Sequence, residues 1–127
     1  MRDAMITSFE ALPPSATIAD AADALLRTTQ VEFPVLGEDG RLRGFVTRSS
    51  MIDVLGKSGK NTSALEAMQR DIPVVKSSDR LEKALQEMQR TNAPAVGVIG
   101  SDGRLEGYIT AENIGELMML EATVGRL

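Results

Sequence analysis

Thr47 closes the run "LRGFVT" and Thr110 closes "LEGYIT". Each is followed at once by a segment whose apolar residues recur at helical spacing. A threonine at such a strand-to-helix junction has two chemical uses. Its oxygen can accept from the free N–H groups of the first helical turn and cap the helix. Its hydroxyl can also donate to a phosphate or ribose oxygen held at the same place, where those N–H groups and the helix dipole favour negative charge. Both readings stand for both residues. Arg48, next to Thr47, suits a phosphate. Next to Thr110 stand Ala111 and Glu112.

Little other chemistry is available. The chain of 127 residues has no cysteine and no histidine. That removes disulfides, thiolates, the commonest general base and the commonest metal ligand. Glu38, Asp39 and Asp102 fall at turns, where carboxylates bend the chain. The methionines read as core or dimer surface, not as a metal site. "GKS" at 56–58 would need a glycine five residues earlier to be a phosphate-binding loop, and Met51 stands there. "GVIG" at 97–100 lacks the first half of a dinucleotide fingerprint. The net charge is −4, from 14 basic and 18 acidic residues. The aromatics are Phe9, Phe33, Phe45 and Tyr108. Neither the basic surplus nor the stacking set of a nucleic-acid binder is present. No apolar run approaches a membrane span, and "MRDAMITSFE" lacks the apolar stretch of a signal peptide. The expectation is a non-enzymatic domain, cytoplasmic or on the cytosolic face of a membrane protein. It has no nucleic-acid partner and no membrane insertion of its own, and is either a whole protein or a piece of one.

The two threonines are 63 positions apart because the chain repeats itself. Residues 3–55 align without a gap to residues 66–118. Identities include Ala4/Ala67, Met5/Met68, Ala21/Ala84, Arg27/Arg90, Val35/Val98 and Gly44/Gly107. They are densest where "EDGRLRGFVT" faces "SDGRLEGYIT". Each half carries the same elements. A helix comes first, with Ile18, Ala21, Ala22, Leu25 and Leu26 on one face, or Leu81, Ala84, Leu85 and Met88. Thr17 with Asp20 forms a capping box, and Asp79 with Glu82 is the corresponding pair. Two short β runs follow, joined through Asp39-Gly40 or Asp102-Gly103, a hairpin signal because glycine accepts positive φ. Gly44 and Gly107 permit close packing inside a strand. After each threonine comes a second helix, with Met51, Ile52, Val54 and Leu55 in one half and Ile114, Leu117, Met118 and Leu120 in the other. "GKSGKNTS" (56–63) is the linker. The fold class is α/β (α+β): residues 1–60 with the linker, and 64–127, each a small sheet packed against two helices. Two such halves, related by a pseudo-twofold axis, bury together what neither buries alone.

The residues just quoted resemble a tandem pair of cystathionine-β-synthase (CBS) motifs, a Bateman module. Ala4-Met5 and Ala67-Met68, Phe33-Pro34-Val35, the Asp-Gly-Arg-Leu-x-Gly hairpins and the closing threonines carry the resemblance. It covers about residues 3–120. The tail "TAENIGELMML" is similar to the end of CBS pairs attached to bacterial site-2-type membrane zinc metalloproteases. Any peptidase chemistry would lie in a separate domain. The resemblance implies an adenosyl ligand (AMP, ADP, ATP or S-adenosylmethionine) and no required cofactor. It places adenine against apolar side chains beside the hydrophobic-Pro stretch, Val31 and Phe33 in one half and Pro94 and Val96 in the other. Thr47 with Arg48, or Thr110, would meet phosphate or ribose.

Three residues after each threonine the family usually has an aspartate, which accepts both ribose hydroxyls. This chain has Ser50 and Asn113 there. Serine is too short to chelate a diol, whereas asparagine keeps one acceptor, so the second half is the better ribose site. Both residues also read as ordinary first-turn polar groups. The family further implies a homodimer through the later helices, here Met51, Leu55, Ile114, Met118, Met119 and Leu120. Two functions stand: a nucleotide-sensing module acting on a linked catalytic domain, or a ligand-free dimerisation module.

Overall fold

The computed structural model describes residues 5–115 and residue 119. It divides into two compact units, one of Ser8–Ile72, the other of Met1–Thr7 with Pro73–Leu127.

In the first unit α1 (Ile18–Arg27) begins at the expected capping box: the Thr17 side chain accepts from Asp20 N–H, and Asp20 accepts from Thr17 N–H at 2.9 Å. The linker segment completes this end, with Ile18 and Ala19 N–H donating to the carbonyls of Thr62 and Lys60. α1 buries Ile18, Ala21 and Ala24. Leu26, expected on this face, is instead 85% exposed. At 100° per residue a stripe centred on 18, 21 and 25 leaves position 26 on its far edge. β1 (Glu32–Leu36) and β2 (Leu42–Thr47) form the expected antiparallel hairpin, with Gly40 at φ 78°. α2 (Arg48–Ser58) follows, extending three residues into the predicted linker before Gly59 ends it at φ 86°. A short 3₁₀ helix (Ala64–Ala67) leads to β3 (Met68–Gln69).

The second unit repeats the plan. β4 (Val74–Lys76) runs parallel to β5 (Ala95–Ile99), which pairs antiparallel with β6 (Leu105–Thr110). α3 (Leu81–Thr91) lies between β4 and β5 and buries Ala84 and Met88. Residues 111–115 after β6 are helical. The α/β expectation of two repeated halves, each a sheet with two helices, holds.

Asp79 does not cap α3. Arg80 occupies the N-cap without a side-chain bond. The Asp79 carboxylate instead accepts from Lys76 N–H at 2.9 Å and lies 3.4 Å from Lys83 Nζ. The Lys76 N–H, then the Lys83 charge, hold its pKa below the ordinary carboxylate range. A pKa depressed in the folded state stabilises the fold above the unfolded-state value, and that gain is lost as pH falls through the folded value. Wild type is therefore expected to exceed Asp79→Asn in stability at about pH 7, by a margin that shrinks once pH falls below the ordinary aspartate value of about 4, as at about pH 3. Paired melts at the two pH values check it.

The outer edge of each hairpin is paired by the other repeat, through a strand in the first sheet and a single bridge in the second. Met68–Gln69, at the start of the second copy, pairs with Val46 and Phe45 of β2. Ile6, in the first copy, pairs with Tyr108 of β6. This exchange explains the two strand glycines. A Cβ on Gly44 would stand 2.7 Å from Met68 Cγ, and closer still to the Gln69 carbonyl oxygen; one on Gly107 would stand 2.5 Å from the Ile6 carbonyl oxygen.

The cores are separate clusters. Phe33, Val35, Val46, Ile18, Ala21 and Met51 centre the first, and Val96, Val98, Ile109, Ala84, Met88 and Ile114 the second.

Candidate functional site

Both threonines sit where the sequence placed them, at the end of a hairpin strand and the start of a helix. Thr47 is extended, at φ −96° and ψ 158°, and its oxygen accepts from Ser50 N–H at 3.2 Å. Ser50 Oγ accepts from Thr47 N–H at 3.2 Å and donates to the Thr47 carbonyl at 3.0 Å. The two hydroxyls are themselves 3.0 Å apart. The first helical N–H, that of Arg48, donates to the Val31 carbonyl at 2.9 Å. Val31, Thr47, Arg48 and Ser50 are thus gathered at one end of the β1–β2 hairpin. Val31 is 40% exposed, and Arg48 is exposed with no ion pair among the described residues.

The second unit repeats this arrangement with one chemical change. The Thr110 oxygen accepts from Asn113 N–H at 3.1 Å, as in a cap. Its hydroxyl donates to Asn113 Oδ1 at 2.7 Å, as the Thr47 hydroxyl does to Ser50 Oγ, but asparagine stands in place of serine. Ala111 N–H donates to the Pro94 carbonyl at 3.3 Å, so Pro94, Thr110 and Asn113 are gathered too. Thr110 is buried and Asn113 half-buried. The Asn113 amide nitrogen has no hydrogen-bond partner among the described residues.

The two sites therefore differ in what they leave available. Ser50 has its one donor on the Thr47 carbonyl and is saturated by its own cap. Asn113 keeps two N–H donors and the second lone pair of Oδ1. Charge differs as well: Arg48 stands exposed at the first helix start, and Glu112 at the second.

Phe33 and Val96 are fully buried in their unit's core, on the side of the sheet facing the helices. Met51 and Ile114 are likewise core residues, 1% and 7% exposed. Leu55 is 41% and Met119 71% exposed. Met118 and Leu120 lie outside the described residues. The sequence reading passed over Glu32, buried and paired across the hairpin with Thr47, so that the two side chains share a face of the sheet. Only the strand register, which fixes which residue lies opposite Thr47, could have flagged it.

Among the described residues no group of histidine, cysteine or carboxylate side chains could hold a metal ion. No helix among them is long and apolar enough to cross a membrane.

The repeated strand-threonine-helix unit, its hairpin edge paired by the other repeat, has relatives. The family model of the CBS domain matches residues 1–57 and again 64–119. The chain belongs to the CBS-domain family. As a CBS pair it is 28% identical over 116 residues to the homoserine O-acetyltransferase of Methanobrevibacter ruminantium, a match covering 91% of this chain and 23% of that enzyme. The chain thus spans about a quarter of the length of that relative. Its fold is similar to that of CBSX2 in complex with AMP, with TM-score 0.73, 22% identity and 91% of each chain covered. It is similar also to a CBS domain pair in complex with 5′-methylthioadenosine and S-adenosyl-L-methionine, with TM-score 0.80, 22% identity, and 92% of this chain and 97% of that one covered.

Proposed function

We propose that this CBS pair is a regulatory module that binds an adenosyl compound at Thr110 and Asn113 and controls a linked domain. The observation that carries the reading is the hydrogen bond from the Thr110 hydroxyl to Asn113 Oδ1, which leaves the Asn113 amide N–H groups to donate to a ribose. The CBS pairs of similar fold that hold AMP, or methylthioadenosine and S-adenosylmethionine, support an adenosyl ligand. Charge sorts the ligands between the sites. Glu112 beside Thr110 disfavours a phosphate and tolerates the sulfonium of S-adenosylmethionine; Arg48 beside Thr47 favours the phosphate of AMP. A linked domain is supported by the homoserine O-acetyltransferase relative, of which the matched stretch is 23%. A membrane zinc metalloprotease as that domain rests on the tail sequence alone.

Calorimetry with S-adenosylmethionine and AMP tests the reading. Thr110→Ala and Asn113→Ala are each expected to weaken S-adenosylmethionine binding about three- to tenfold, the worth of one hydrogen bond, while a cooperative melt is kept, lowered in Thr110→Ala by the lost cap. Unchanged affinity in both variants would remove these residues from the site.

A second reading, a ligand-free homodimerisation module, is favoured by α2, which exposes Ile52 (55%) and Leu55 (41%) one turn apart. Light scattering that shows a monomer at roughly tens of micromolar, a range in which a specific interface associates, counts against it.

A further inference from the structure

Ile6, from the start of the chain, is part of the second unit. Its N–H donates to the Tyr108 carbonyl at 2.8 Å, and its carbonyl accepts from Tyr108 N–H at 3.1 Å. Met5 packs against the second core. Gly107 makes room, since a Cβ there would stand 2.5 Å from the Ile6 carbonyl oxygen and 3.3 Å from Met5 Sδ.

The first unit has the same arrangement, with Met68–Gln69 against β2 over Gly44. One difference separates them. Met68–Gln69 has two paired positions, and the 3₁₀ helix just before it is tied down, with Ala64 N–H donating to the Ala16 carbonyl at 2.8 Å. Ile6 has a single rung among the described residues. The chain then passes to the first unit at Ser8, and its next sheet anchor is Leu12, whose N–H donates to the Pro34 carbonyl at 2.9 Å. That one rung falls on Tyr108, two residues before Thr110 on the same strand. The two side chains share a face of the sheet. A shift of β6 at its outer edge therefore reaches the Thr110 cap through two peptide units.

We propose that residues 5–7 are a strap whose docking on β6 is coupled to occupancy of the Thr110 site. Ligand at Thr110 and Asn113 steadies β6 and tightens the strap, and the docked strap raises affinity in return, because coupling between two sites is reciprocal. The proposal rests on the adenosyl reading above and supplies its regulation.

The test uses the full chain, with S-adenosylmethionine as the probe. Amide hydrogen exchange at Ile6 and Tyr108 is followed with and without saturating S-adenosylmethionine. Affinity is then measured for wild type, Gly107→Ala and Ile6→Pro. Gly107→Ala places a methyl group where the Ile6 carbonyl lies. Ile6→Pro removes the N–H given to Tyr108 and leaves residues 73–127 unaltered, so it serves if Gly107→Ala does not fold. The ligand is expected to slow exchange at both amides by about five- to tenfold, and Ile6→Pro to weaken binding by a comparable factor. Exchange at Met68 stays unchanged. Binding without slowed exchange, or an Ile6→Pro variant that binds like wild type, overturns the strap and leaves the adenosyl reading intact. No binding of S-adenosylmethionine to wild type overturns both.

Discussion

Asn113→Asp is expected to tighten S-adenosylmethionine binding about tenfold. A neutral hydrogen bond contributes about 0.5–1.5 kcal/mol and one to an ionised group about 1.5–3 kcal/mol, so the gain is about 1–1.5 kcal/mol. The geometry accommodates the change. The Thr110 hydroxyl already donates to Oδ1 at 2.7 Å, and an aspartate oxygen accepts that bond unaltered. The second oxygen replaces an amide group without a partner among the described residues, and accepts from a ribose hydroxyl where the amide could only donate. The negative charge also suits a sulfonium ligand and penalises a phosphate, so the ratio of S-adenosylmethionine to AMP affinity rises. Calorimetry on the two variants Asn113→Asp and Asn113→Ala gives the answer. Equal affinities in both would show that the third helical position does not touch the ligand. Ser50→Asp is the matching change at Thr47, where it must first break a serine–threonine cap that is complete as it stands.

Phe33→Ala is expected to cost about 3–5 kcal/mol in unfolding free energy, the range for truncating a fully buried aromatic ring. Phe33 is 0% exposed and packs with Ile18, Ala21, Val46 and Met51. Neighbours held by a strand and two helices cannot close the cavity fully, so the upper half of the range is the expectation. Denaturant unfolding measures it. The experiment also separates core from ligand contact. A ring that stacked on adenine would cost affinity and little stability when removed; a core ring does the reverse. Val31→Ala, on a residue 40% exposed, is the comparison, expected to cost about 1 kcal/mol or less in stability. A loss below about 1 kcal/mol for Phe33→Ala would contradict the core assignment.

These predictions draw on both levels of information. Amino-acid order alone determined the duplication, both Asp-Gly hairpins, the starts of α1 and α2 and the capping role of Thr17, Thr47 and Thr110. Each is written within a few residues: a cap is a contact from i to i+3, and a hairpin turn needs one glycine at positive φ. The chemical asymmetry of Ser50 and Asn113 was legible as well. What each side chain does there was not, because the saturation of Ser50 and the bond from Thr110 to Asn113 Oδ1 depend on rotamers fixed by the finished cap. Leu26 and Asp79 were misplaced by the same limit. Periodicity gives the direction of a helix face but not its width, and a capping pair does not say which of two adjacent residues ends the extended chain. The pairing of each hairpin edge with the other repeat was decided only by tertiary structure. Met68–Gln69 and Ile6 are too short to show a period of two, and each pairs with a strand of the other repeat. Gly44 and Gly107 announced that something comes close. Only the folded chain shows that it is a backbone carbonyl from the opposite copy, because a contact between residues 6 and 107 leaves no trace in the order of the residues between them.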